Sequence, residues 1–191
     1  MSTQSKPRLT PEQYLAIERK AEFRSEFHDG EMFVMAGATE AHALIAGNLH
    51  AALHGLLRGR NCRVYFGDLR IRAAAAKLYM YPDLSVVCGE SKFAGDEFDV
   101  LLNPNLIAEV LSPSTEAYDR GRKFEHYRTI ESLSQYLLIA QDRMHLDLFT
   151  KGREGWFVAS FSNPLDRVEL SSIGCSLSPG DLYENVDLNQ G

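Results

Sequence analysis

The sequence lacks the features that would place a chain in or across a membrane. No apolar run reaches the roughly 18 residues of a spanning helix, and the most apolar stretch, residues 44–57, is broken by three polar side chains. Residues 1–8 are polar and have no hydrophobic signal-peptide core. These absences predict a cytoplasmic protein with no membrane partner.

Cysteine is also scarce, with an odd number of residues spread widely along the chain: Cys62, Cys88 and Cys175. Small secreted domains held together by disulfides use cysteines in even numbers and at close spacing. The cysteine pattern therefore favours a reducing compartment and predicts no disulfide framework.

Positive charge is in deficit, since the net charge is −6, which argues against a protein that coats nucleic acid through its overall charge. The deficit is uneven. Residues 58–77 contain six basic residues and one acidic residue, a local charge of +5, and the rest of the chain carries −11. This basic strip either holds phosphates or is an ordinary solvated strand and loop, and charge alone does not decide between the two.

What the sequence does contain is the pattern of one α/β domain. Its 191 residues, 45% hydrophobic, are enough to bury a core. The order of elements predicts a mixed sheet flanked by helices, that is, an α+β arrangement. Helices are predicted at Thr10–Ala21, Glu40–Leu57, Glu116–Ile130 and from Ser178, with a hairpin turn at Asp29-Gly30. Strands are predicted at Arg63–Phe66 and Leu69–Ala73, which we interpret as a pair, and at Asp83–Cys88, Leu106–Leu111, Gln135–Ala140, His145–Thr150 and Trp156–Phe161.

Two carboxylates stand where the surrounding residues are apolar. Glu109 lies inside LIAEVL, a strand that we expect to be covered on both faces, and Asp83 opens the strand DLSVVC. A buried carboxylate is costly unless it is paired, protonated or bound to a metal. Neighbouring strands could bring both groups to one Mg²⁺ or Mn²⁺ ion. The alternative stays open: Asp83 would be a turn residue and Glu109 a structural ion-pair partner.

Lys123 favours the metal interpretation. Glu116, Asp119 and Lys123 have the spacing of one helix face, on a helix that returns past the end of the Glu109 strand. A lysine there could neutralise a phosphate or position a water. The alternative for Lys123 is a surface ion pair with Asp119.

Two further groups of polar residues are interpreted as structural. His50 and His54 have the spacing of a metal pair but lack the glutamate of a zinc-protease motif, which favours a solvated helix face. Ser112 and Ser114 flank Pro113 without a nucleophile-elbow motif, so we interpret them as helix-capping residues.

Several segments together resemble the Uma family of restriction endonucleases, whose fold resembles that of the PD-(D/E)XK nuclease superfamily. They are SEFHDGEMFVMAGATEAH, YPDLSVVCG, IAEVLSPST, the Asp119 to Lys123 spacing and YRTIESLSQYLLIAQD. The resemblance spans roughly Leu9 to Trp156.

The resemblance implies a restriction-endonuclease-like domain with one divalent ion. It would comprise an N-terminal helix and hairpin (9–36), a nuclease-type core (about 40–161) and a C-terminal extension (162–191) within a single domain, 1–191. By the resemblance, Asp83 and Glu109 are the metal ligands and, with Lys123 and Glu26, the catalytic residues. Glu26 would be an extra ligand or a base, whereas without the resemblance it is interpreted as a surface glutamate of a strand. His42 also matches a family position, either beside the site or on the surface. Leu111 stands two residues after Glu109, where the superfamily has a lysine, and Lys123 takes over that role.

The implied function is hydrolysis of DNA phosphodiester bonds by an Mg²⁺- or Mn²⁺-dependent endodeoxyribonuclease. DNA is then the expected partner, and a homodimer is compatible with the sequence. Leu111 and the overall acidity favour the alternative, a non-catalytic nucleic-acid-binding or protein-interaction domain that retains the nuclease fold.

Overall fold

A computed structural model describes residues 8–73 and 77–188. The ends of the predicted domain and of its C-terminal extension, residues 1–7 and 189–191, lie outside the described residues. The helices are α1 (Pro11–Glu18), α2 (Glu40–Leu56), α3 (Glu116–Tyr118), α4 (Phe124–Tyr127) and α5 (Pro179–Leu182), with a π-helix (Asp119–Lys123) between α3 and α4. The strands are β1 (Ser25–His28), β2 (Glu31–Val34), β3 (Cys62–Phe66), β4 (Arg70–Ala73), β5 (Leu78–Met80), β6 (Leu84–Cys88), β7 (Val100–Leu101), β8 (Leu106–Leu111), β9 (Gln135–Ala140), β10 (Leu146–Lys151), β11 (Trp156–Phe161), β12 (Val168–Leu170) and β13 (Cys175–Leu177).

The capping and turn signals identify their elements correctly. Thr10 caps α1 in a capping box with Gln13, and Ser178 caps α5 in the same way. The hairpin turns where predicted, because Asp29 and Gly30 both adopt the positive φ that a tight turn needs. None of the helices in the described part of the chain has the length and apolar character needed to cross a membrane.

The predicted α/β fold is confirmed, with two mixed sheets rather than one. The larger sheet has the order β11-β10-β9-β8-β6-β3 and the smaller one the order β2-β1-β5-β4-β7. In the larger sheet β8 pairs in parallel with β9 and antiparallel with β6, so β8 lies at its centre. All six residues of β8 are buried, as the apolar sequence around Glu109 predicts.

The predicted pairing of Arg63–Phe66 with Leu69–Ala73 is wrong. β3 pairs with β6 in the larger sheet, whereas β4 pairs with β5 and β7 in the smaller one. The turn between them redirects the chain: Gly67 has a φ of 62° and its N–H donates to the Asp83 carbonyl. The basic strip is therefore divided between two sheets.

The two faces of the larger sheet are covered differently. One face packs against α2 and against β12, β13 and α5, in a core that includes Leu49, Leu84, Ala108 and Leu170. The other face packs against the smaller sheet and the helical segment 116–127, in a core that includes Met80, Ile107, Tyr127 and Tyr136. Glu109 lies two residues after Ile107 on β8, and alternate residues of a strand point to the same face. The Glu109 side chain therefore enters the second core, as that of Ile107 does.

The predicted helix Glu116–Ile130 is wrong in form, because it is interrupted by the π-helix and ends at Tyr127. A π-helix adds a residue to a turn and changes which side chains share a face. Asp119 and Lys123 are buried, but Glu116 is not and instead pairs with Arg120 and Arg143. The prediction that Glu116 shares their face is therefore also wrong.

The expectation of no disulfide is contradicted by a Cys62–Cys88 bond. The two cysteines are 26 residues apart in sequence, but they are register partners on β3 and β6, with Cα atoms 4.0 Å apart. Strand register creates this proximity, and sequence spacing does not reveal it. Cys175 is the free cysteine of the described residues.

Candidate metal centre

Glu109 is buried at the centre of the site, with 4% of its surface exposed. Its Oε1 atom accepts a hydrogen bond from the Tyr127 hydroxyl at 2.9 Å and lies 2.9 Å from the Lys123 ammonium nitrogen. Both partners come from the helical segment that covers this face of β8. The same oxygen therefore has two partners, a hydroxyl that donates to it and an ammonium that forms an ion pair with it.

Asp83 lies directly before β6 and faces Glu109 across the strand pair. The register Leu84↔Ala108, extended by one residue, places Asp83 opposite Glu109, and opposite residues of antiparallel strands project to the same face. Asp83 Oδ2 accepts the Val110 N–H at 2.7 Å, and Oδ1 lies 3.0 Å from His42 Nε2. The structure thus brings the two predicted ligands together on one side of the sheet.

Lys123 joins three carboxylates. Its ammonium nitrogen lies 2.9 Å from Glu109, 3.3 Å from Glu26 and 3.5 Å from Asp119. Only 7% of the lysine side chain and 6% of the Asp119 side chain are exposed, so the alternative of a surface Asp119–Lys123 pair is wrong. Three carboxylates therefore lie within ion-pair distance of one buried ammonium.

Glu26 belongs to β1 in the smaller sheet, so the site is assembled from both sheets. Besides Lys123, its Oε1 atom accepts the Tyr81 N–H at 3.3 Å. The Tyr81 hydroxyl in turn donates to Glu18 of α1 at 2.9 Å. Since Tyr81 is two residues before Asp83, these bonds fix the entry of the chain into the site.

Burial is the largest influence on the pKa values of the site, and the excess of carboxylates over basic groups is a further influence. Burial raises the pKa of Glu109 well above its usual range; Lys123 opposes that rise, while Asp83, Asp119 and Glu26 add to it. Burial alone would lower the pKa of Lys123, but the carboxylates, led by Glu109, raise it well above its usual range. Burial also raises the pKa of Asp119. Four carboxylates thus meet one lysine and one histidine, which leaves an excess of acidic groups in the site.

The donor set fits a hard divalent ion that keeps part of its hydration shell. No group of three or more His, Cys, Asp or Glu side chains suited to a metal occurs among the described residues. Mg²⁺ typically takes one or two carboxylates and completes its shell with waters and substrate phosphates. Asp83 and Glu109 would supply such a pair in a metal-dependent site, because each carboxylate retains lone pairs beyond its present hydrogen bonds.

The remaining polar residues divide between the site and the surface. His42 lies at the site, and its hydrogen bond to Asp83 raises its pKa although burial acts in the opposite direction. His54 is exposed and His50 is half-buried, with its ring 5.2 Å from that of Phe66. Ser112 Oγ accepts the Thr115 N–H at 3.2 Å, a contact within the turn before α3. The predicted capping by Ser112 and Ser114 is wrong, because the N-cap of α3 is Thr115 and this helix has no side-chain capping hydrogen bond.

Sequence reasoning missed two tyrosines of the site, Tyr127 and Tyr81. Tyr127 follows Lys123 by four residues, so helical spacing from Lys123 could have identified it. Tyr81 contacts Glu26 and Glu18 through strand and helix packing that no local spacing reveals.

The chain is similar to known proteins over most of its length. The family model Uma2, described as "Putative restriction endonuclease", matches residues 11–180. Two uncharacterized proteins of Synechocystis are each 35% identical, one over 181 residues that cover 94% of both chains. The other matches over 164 residues, which cover 85% of this chain and 93% of its own.

The fold also matches a crystal structure described as "a putative nuclease belonging to DUF820" from Anabaena variabilis. That match has a TM-score of 0.75 at 19% sequence identity and covers 92% of this chain and 98% of the other. At this identity the likeness concerns the fold, which is thus nuclease-like. Taken with the family model, these findings show that the chain belongs to the Uma2 family of restriction-endonuclease-like proteins.

Proposed function

We propose that the protein is a divalent-metal-dependent endonuclease that hydrolyses DNA phosphodiester bonds. The observation that supports this most strongly is the facing pair Asp83 and Glu109, with the buried Lys123 ammonium 2.9 Å from Glu109. Family membership supports the nuclease class. The metal, the DNA substrate and the residue roles are parts of this proposal.

Each site residue has a role in the proposal that follows from its contacts. Asp83 and Glu109 would hold Mg²⁺ or Mn²⁺, which supplies positive charge to the phosphate and makes water more acidic. Val110 N–H and His42 orient Asp83, while Tyr127 and Lys123 orient Glu109. Lys123 offers a phosphate a positive charge when it exchanges one of its longer carboxylate contacts. Glu26 holds the ammonium toward Glu109.

The direct test is nicking of supercoiled plasmid and cleavage of linear DNA, with Mg²⁺, with Mn²⁺ and with a chelator. The expected result is cleavage with either ion and none with the chelator. Without the ion, the described residues of the site would offer only the Lys123 ammonium to stabilise the negative charge that develops on the phosphate. Cleavage that persists in the chelator would contradict the metal role. No cleavage of any DNA offered would contradict the nuclease function.

Ion binding should be visible as stabilisation. We expect millimolar Mg²⁺ or Mn²⁺ to raise the melting temperature, since a cation relieves the carboxylate excess only in the folded protein. When the ion concentration is ten times the dissociation constant, the free energy of unfolding rises by about 1.4 kcal/mol. For a chain of this size, that raises the melting temperature by about 3 to 6 °C. Asp83→Asn should abolish the rise, because the amide still accepts the Val110 N–H but lacks the charge. Asp96→Asn, at an exposed aspartate, is the control. An equal rise in Asp83→Asn would place the ion elsewhere.

One observation favours the second function, a DNA- or protein-binding domain without catalysis. Leu111 points into the second core with 3% exposure, so the position two residues after Glu109 offers the site no cation. Among the described residues, Lys123 would then be the only lysine available to the phosphate at this site. The cleavage assay decides between the two functions, because a binding domain would retain DNA without cutting it.

A further inference from the structure

An open cleft of about 480 Å³ lies where α2 ends and β3 begins. The described residues that line it include three arginines and a histidine, and none of them is acidic: His54, Leu57, Arg58, Gly59, Arg60, Cys62, Arg63, Val64 and Tyr65. The three arginines belong to the first half of the basic strip. Arg70, in the second half, does not line the cleft, because it is buried and paired with Asp99.

The positive charge of the cleft is not neutralised by the protein. Arg60 donates to the carbonyls of Ile173 and Gly174, at 3.3 and 2.7 Å, and Arg63 donates to the Gly89 carbonyl at 3.1 Å. Within residues 8–73 and 77–188, no carboxylate forms an ion pair with Arg58, Arg60 or Arg63. Carbonyl partners fix a guanidinium without cancelling its charge, so further donors remain for an anion.

The cleft and the candidate metal centre lie at opposite ends of the same two elements. β3 runs from the cleft at Cys62 toward Gly67, whose N–H donates to the Asp83 carbonyl. α2 runs from His42, at the metal centre, to His54, in the cleft. Gly67 follows Cys62 by five residues, which span about 17 Å along the strand direction. His54 follows His42 by twelve residues, which span about 18 Å along the helix axis. Duplex DNA rises about 3.4 Å per base pair, so the separation corresponds to about five base pairs.

We propose that this cleft binds the phosphodiester backbone of duplex DNA about five base pairs from the bond cut at the metal centre. The inference rests on the proposed nuclease function, which supplies the substrate. An acidic protein needs a local positive surface to hold DNA, and the four carboxylates of the metal centre, Glu26, Asp83, Glu109 and Asp119, do not provide one. The arginines of the cleft provide that surface and set the direction in which the duplex leaves the site.

The test is the affinity for a duplex of two helical turns, measured by fluorescence anisotropy over a series of salt concentrations with a chelator present. The first variant is Arg58→Gln, since no hydrogen bond or ion pair joins the Arg58 side chain to the described part of the chain; the second adds Arg60→Gln and Arg63→Gln. We expect the triple variant to bind at least about tenfold more weakly near 0.1 M salt. The slope of log affinity against log salt should fall by about one for each contacting arginine. Arg58→Lys should restore most of the slope lost in Arg58→Gln.

Arg153→Gln is the matched control, because this exposed arginine lies in the β10–β11 turn at the opposite edge of the sheet. If Arg58→Gln and the triple variant both keep the affinity and slope of this control, the arginines only interact with the C-terminal end of the α2 dipole and the inference is wrong. It is also wrong if the wild type binds no duplex. Arginine-dependent binding without any cleavage would reject the nuclease function and keep the binding site.

Discussion

Lys123→Met is expected to lower the free energy of unfolding by about 3 to 5 kcal/mol, the usual cost of removing one partner from a buried ion pair. The methionine fills much of the same space, so the loss is mainly electrostatic. Without the ammonium, Glu26, Glu109 and Asp119 remain in a poorly solvated site with no positive charge among them. Urea denaturation monitored by circular dichroism measures the change.

Lys20→Met is the matched control, because Lys20 is exposed after the end of α1 and should change stability by less than about 0.5 kcal/mol. Adding Glu109→Gln to Lys123→Met should recover part of the loss, because it removes one of the unpaired carboxylates. The difference between the double variant and the sum of the single ones gives the coupling of the pair. If Lys123→Met is as stable as the control variant, the lysine is not a structural counter-ion.

Glu109→Gln is expected to reduce DNA cleavage at least a hundredfold while the protein stays folded. Removal of one group that stabilises a transition state typically costs about 10² to 10³ in rate, and a metal ligand at the reaction centre should cost no less. The glutamine oxygen can still accept from Tyr127 and Lys123, which preserves packing around β8. Plasmid nicking rates at saturating Mg²⁺, with melting curves for both proteins, measure the two effects separately.

Glu125→Gln is its control, since Glu125 is an exposed glutamate on α4, next to the site but facing solvent. This variant should cut DNA at the wild-type rate. Cleavage by Glu109→Gln at that same rate would remove Glu109 from the reaction and leave it as a structural partner of Lys123.

The elements with strong local signals could be predicted from the sequence. Thr10, Asp29-Gly30 and Ser178 fix their helix or turn through contacts within a few residues, so local chemistry is sufficient there. The strand around Glu109 is also clear, because a six-residue segment whose other five residues are all apolar is typical of a strand buried on both faces. The resemblance to a family provided the pairing of Asp83 with Glu109, which spacing alone leaves open.

The features that escaped prediction depend on contacts between distant segments. Neither the separation of β3 from β4 nor the Cys62–Cys88 bond has a local signature, because both follow from strand register. The burial of Lys123 depends on three carboxylates from three different parts of the chain. A lysine four residues after an aspartate is more often a surface pair, and only the packing of the helical segment on β8 distinguishes the two cases.

The π-helix at Asp119–Lys123 is the place in this segment where the chain can best accommodate a change in length. It separates Asp119, whose carbonyl accepts the Tyr136 hydroxyl, from Lys123 and Tyr127, which both reach Glu109. Because a π-helix is one residue wider than an α-helical turn, losing one residue there would return the turn to α-helical form and leave the turns before and after it nearly in phase. Losing one residue from the α-helical turn Phe124–Tyr127 would instead rotate the residues after it by about 100° and turn Tyr127 away from Glu109. A functional descendant of this chain can therefore shorten the π-helix more readily than the turn that follows it.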